Sequence, residues 1–197
     1  MKAWVWMVCI SLTWVGWAEA EMRFHPLKLP ENFELKDSLK EAERGDPTSQ
    51  VHCGIFLYEK ANSHSNATDK KEYWIKAAKW FKLAAQQHEP EAYYYLGYCY
   101  YKERGVPKDL AKSRSHFHAA VQEGLVEPMR CLAYLHLEKG EYIEALAWLK
   151  VAQQLDPNEE HTLYWIDRLD TELTEEQIEE AEKQAKKRLA TKRGSVR

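Results

Sequence analysis

Ala92-Tyr93-Tyr94-Tyr95-Leu96-Gly97-Tyr98-Cys99-Tyr100-Tyr101, followed past a turn at Gly105 by Ser113-Arg114-Ser115-His116-Phe117-His118-Ala119-Ala120, carries a pattern that recurs on both sides of it. Ala77, Trp80, Phe81, Ala84 and His88 return as Ser113, His116, Phe117, Ala120 and Gly124, all displaced by one interval. The same interval carries Leu96-Gly97 onto Leu132-Ala133 and Tyr100 onto His136, and a slightly shorter step carries Phe117 and Ala120 onto Leu149 and Ala152. Upstream, Gly45, Gly54, Leu57 and Tyr58 fall on the positions of His88, Gly97, Tyr100 and Tyr101. Apolar residues three and four apart give every segment one buried stripe. Small residues (Ala77, Ala84, Gly97, Ala120, Ala133, Ala145, Ala152) allow two helices to approach closely, and large ones (Trp80, Phe81, Leu96, Phe117, Leu132, Trp148) fill the space beside them. One such hairpin cannot cover its own stripe, so neighbours must stack.

The run Ala92, Leu96-Gly97, Tyr100, Gly105-Val106, Asp109, Lys112, Ala120 and Gly124 resembles a Sel-one-like repeat, a relative of the tetratricopeptide repeat. The following unit, Leu132-Ala133 to Leu155-Asp156-Pro157, lacks the Gly-Val-x-x-Asp loop and is closer to the tetratricopeptide form. The resemblance spans roughly Leu39 to Leu169 and departs from the pattern at Ser49, Cys53, Ser113 and His116. It implies an all-α protein, an α-solenoid of about three to four helix-turn-helix repeats with capping helices at both ends, used as a scaffold for protein contacts.

The chain has 197 residues and a formal net charge of −3, which gives no reason to expect a nucleic-acid partner. Residues 1–20 have the form of a signal peptide: Lys2, the apolar stretch Ala3–Trp17, then Ala18-Glu19-Ala20 ahead of a cut after Ala20. An uncleaved anchor and a buried first helix are the competing readings. Cleavage would make the protein periplasmic or secreted, with no transmembrane segment left. Residues 21–30 form an extended lead-in, 31–171 the repeat domain, 172–190 a C-terminal capping helix and 191–197 a basic, disordered tail. Asn32 is expected to cap a helix running through Arg44, Asp46-Pro47 to start the next, and Thr174-Glu175-Glu176-Gln177 to form a capping box.

Stacked hairpins line their inner surface with first helices. In this register Tyr58, Tyr94, Tyr98, Tyr101, Tyr134 and Tyr164 point inward, with Lys102, Arg130 and Arg168 beside them. Tyrosine and arginine dominate binding surfaces, so this set is the candidate site for a protein or extended peptide. Tyr93, Tyr95 and Tyr100 are expected to pack between helices. No Ser-x-x-Lys, Gly-x-Ser-x-Gly or His-Glu-x-x-His string is present, the histidines are not at metal-ligand spacing, and no enzyme, cofactor or metal is expected. The competing functions are an envelope hydrolase or penicillin-binding activity, as implied by cysteine-rich relatives, and a eukaryotic secretory-pathway lumenal adaptor. The second is compatible with the acceptor pattern Asn66-Ala67-Thr68. Cys53, Cys99 and Cys131 admit two arrangements, a Cys99–Cys131 bridge or three buried thiols.

Overall fold

The computed structural model describes residues 28–31 and 33–194, and all regular structure among them is helical. Nine helices follow one another in these described residues: α1 Leu35–Glu43, α2 Pro47–Ser63, α3 Ala67–Ala85, α4 Pro90–Lys102, α5 Leu110–Gln122, α6 Glu127–Leu137, α7 Tyr142–Leu155, α8 Glu160–Glu172 and α9 Glu175–Gly194. They form two compact units, divided between Leu125 and Val126. The first holds α1 to α5, each packed on the next; in the second, α7 packs against α6, α8 and α9.

Local chemistry explains where the helices start. The Asp46 carboxylate accepts from the Ser49 amide at 2.7 Å, with Pro47 in the first turn of α2. Asn66, Asp109 and Glu159 cap α3, α5 and α8 in the same way. The capping box at α9 is reciprocal: the Thr174 amide donates to Gln177 Oε1 at 3.0 Å and the Gln177 amide to Thr174 Oγ1 at 3.3 Å. Helix ends repeat a second device. Gly45, His88, Glu103, Gly124 and Gly140 all have positive φ. The amide after each reaches back to Glu41, Ala84, Cys99, Ala120 and His136 respectively. His88 stands where the neighbouring repeats have Gly45 and Gly124, so the turn is kept although the glycine is not.

Two expectations at the ends change. α1 begins at Leu35 with Glu34 as an N-cap that makes no side-chain bond, and Asn32 lies outside the described residues, as do residues 1–27 and 195–197. The last helix continues to Gly194, beyond the boundary at 190, so the segment 191–194 is helix and not tail. Ala181 and Ala185 bury its apolar side. Arg188 pairs with Glu144 and lies 4.5 Å from the Trp148 ring centroid on α7.

The small–large pairing of the sequence is a direct contact. A Cβ on Gly54 would sit 2.4 Å from the Phe81 ring, and one on Gly97 2.6 Å from the Phe117 ring. In the α6–α7 hairpin the same two positions hold Ala133 and Leu149, both fully buried, so a larger small residue goes with a smaller large one. Gly97→Ala should therefore cost about 1–3 kcal/mol by overpacking. Adding Phe117→Leu should restore part of that loss; chemical denaturation of the single and double variants reads the coupling, and strict additivity would refute the contact.

Candidate functional site

In the first unit, Tyr58 on α2 and Tyr94, Tyr98 and Tyr101 on α4 belong to one aromatic cluster. Tyr98 contacts Tyr58 and Tyr101, with both pairs of ring centroids 6.3 Å apart. Tyr94 contacts Tyr95 at 5.7 Å and Phe117 at 6.3 Å. The expected open surface is not what these rings form: Tyr58, Tyr94, Tyr98 and Tyr101 are 0, 1, 5 and 3% exposed. The helix period collects these rings on one side of α4, and periodicity does not tell a covered side from an open one. Burial pushes the Tyr58 hydroxyl well above its ordinary pKa, although the Arg104 charge opposes the shift. Tyr95, expected in the core, is fully buried and stacks on Phe81 with centroids 4.6 Å apart.

Arg104, which no motif or periodicity in the sequence marks, is central here. Its guanidinium donates to the Tyr58 hydroxyl and lies 5.1, 5.1 and 5.3 Å from the ring centroids of Tyr58, Trp74 and Tyr98. No local pattern links Arg104 to Tyr58, because the turn that delivers it comes from the next hairpin. Lys102 is half-buried, 4.6 Å from the Tyr101 ring centroid, with Lys108 at 5.9 Å from the same ring.

The second unit sorts its candidates differently. Arg130 on α6 is buried and faces three carboxylates, Glu127, Asp156 at 3.4 Å and Glu159 at 4.0 Å. It anchors α6 to the turn before α8 and is not available as an open contact. Tyr134 is buried, 5% exposed, with its ring against Trp165 and its hydroxyl 3.4 Å from His161 Nδ1. Tyr164 is 44% exposed beside Leu163 at 39%, and its hydroxyl accepts from Arg168 Nη1 at 3.4 Å.

Asn66 is exposed at the start of α3, with its side-chain oxygen bound to the Thr68 amide at 2.8 Å. Of the two arrangements open to the cysteines, the structure has three buried thiols and no Cys99–Cys131 bridge: Cys53, Cys99 and Cys131 are free and buried. Desolvation raises Cys53 to about 11 and Cys99 to about 12, and moves Cys131 in the same direction, which leaves all three unreactive. Among the described residues no group of histidines, cysteines or carboxylates could hold a metal ion, and no helix is long and apolar enough to cross a membrane.

Solved structures identify this arrangement. A protective antigen of uropathogenic Escherichia coli strains, described as displaying an SLR fold, superposes with a TM-score of 0.69 and 23% identity over 90% of this chain. The fold is that of Sel1-like repeat proteins. A Sel1 repeat protein from Oxalobacter formigenes superposes with a TM-score of 0.51 and 24% identity, over 68% of this chain and 97% of its own. The present chain spans 37% of the length of the Escherichia coli antigen. No family model and no curated protein matches the sequence. The Sel1-like repeat is an α-solenoid architecture, a stack of helix pairs.

Proposed function

We propose that this chain is an exported helical-repeat scaffold that binds another protein or an extended peptide and carries out no reaction of its own. The observation that carries the reading is the turn of α8 where exposed Leu163 and Tyr164 stand beside the half-buried Arg168, which donates to the Tyr164 hydroxyl. Tyrosine supplies contact area at low entropic cost, and tyrosine and arginine are enriched among the residues that dominate binding energy. The signal-like residues 1–20 support export to a periplasm or beyond, and the Escherichia coli neighbour, named as a protective antigen, supports a role in envelope assembly, regulation or host interaction.

A photo-crosslinking amino acid at position 164 tests the reading in the native cell. Discrete adducts are expected from position 164 and none from position 179, an exposed site on α9. The protein recovered should also begin at Glu21. Identical adduct patterns from the two positions, or none from either, would refute the binding surface; an intact Met1 would refute export by cleavage.

A further inference from the structure

Within the first unit, α4 and α5 carry a second aromatic arrangement on a different side from the Arg104 cluster. Tyr93 and Tyr100 stand two helical turns apart on α4, and His116 of α5 slots between them. Its ring lies 6.1 Å from Tyr93 and 5.5 Å from Tyr100, the latter pair within 8° of parallel. All three side chains are half-buried. Lys112 lies 5.5 Å from the Tyr100 ring centroid, and the Tyr93 hydroxyl is 3.1 Å from His88 Nδ1. Desolvation lowers the His116 pKa, and the charges of Lys112 and Lys82 lower it further. Two exposed lysines from two different helices thus converge on one imidazole. One carboxylate in the neighbourhood, Asp109, pairs with Lys112 at 3.3 Å while capping α5.

We propose that this face receives an acidic segment of a protein partner, with carboxylates of the segment settling between Lys82, Lys112 and His116. The inference rests on the reading of the chain as a protein-binding scaffold and names the chemistry of what one of its surfaces binds. Charge complementarity carries it: Lys82 and Lys112 are both exposed and both act on the His116 ring, while Asp109 pairs with Lys112. A carboxylate placed here is attracted by both lysines and can accept a hydrogen bond from the imidazole, which a neutral or basic partner cannot match. The ring faces argue against single-stranded nucleic acid, since His116 occupies those that bases would need for stacking.

The test uses the full chain and a fluorescein-labelled peptide of ten glutamates, read by anisotropy at low salt. Wild type should bind it, and Lys82→Glu with Lys112→Glu should weaken binding at least tenfold, while Lys70→Glu with Lys71→Glu changes it less than twofold. A labelled ten-nucleotide uridine RNA should bind at least tenfold more weakly than the peptide. Circular dichroism checks that the charge-reversed chains stay helical, and Lys82→Ala with Lys112→Ala should act in the same direction. Unchanged binding by the Lys82 and Lys112 variants, RNA binding as tight as the peptide's, or no peptide binding at all would overturn the proposal. Adducts at position 164 would still report on the scaffold reading by themselves.

Discussion

Arg130→Ala is expected to destabilise the chain by about 3 kcal/mol at neutral pH, with the whole effect falling on the unit that holds α6 to α9. The guanidinium side chain is only 6% exposed, and it is the shared cation of Glu127, Asp156 and Glu159. Glu159 matters most, because its side chain is 19% exposed and the same carboxylate caps α8 through the Thr162 amide at 2.7 Å. Burial alone would raise its pKa; hydrogen bonds from Thr162 and the charge of Arg130 outweigh that and leave it below the ordinary value. Asp156 and Glu127 keep more contact with water, at 45 and 30% exposure, which holds the cost at the lower end of what breaking a buried ion pair produces.

The sign of the pH dependence follows from this. A carboxylate whose folded pKa lies below its unfolded one contributes stability above the unfolded value, and that contribution disappears as pH falls through the folded one. Wild type should therefore lose stability in acid faster than Arg130→Ala does, and the gap between them should narrow below about pH 4.5. Urea denaturation at pH 7 and pH 4 measures both. A gap of equal size at the two pH values would mean that Arg130 acts through the packing of its stem and not through its charge.

How much of this was legible depends on the range over which each feature is encoded. Asp46-Pro47 and the box from Thr174 to Gln177 are local devices, and the structure places caps at both. The offset that matches Gly97 to Gly54 and Phe117 to Phe81 was readable because one physical contact is made twice over in the first unit. The tyrosines were harder to read. Periodicity put Tyr94, Tyr98 and Tyr101 on one side of a helix correctly, but it cannot say whether that side is covered, and here it is. The two arginines show the limit most plainly. Register alone assigns Arg130 to a binding face, whereas its partners Asp156 and Glu159 lie in a turn far along the chain. Arg104 carries no local signal, though it organises Tyr58, Trp74 and Tyr98. Side-chain pairings across hairpins leave no periodic trace.

Gly105→Ala should be the most damaging single-methyl change in the first unit, at about 3–4 kcal/mol. Two separate effects combine there. Gly105 has φ +73°, a conformation that costs an alanine about 1–2 kcal/mol. A Cβ at that position would also stand 2.1 Å from the Trp74 carbonyl oxygen and 2.7 Å from the Ile75 amide nitrogen. Both atoms are helix backbone and cannot turn aside as a side chain can. The turn would have to lift from α3, taking with it the Arg104 guanidinium seated on Trp74 and the buried Val106. Gly45→Ala is the matched control, since Gly45 has φ +102° with nothing within 4 Å of its Cβ position. It should show the conformational cost alone. The difference between the two variants in chemical denaturation isolates the contact with α3, and equal losses would show that Gly105 serves only its own turn.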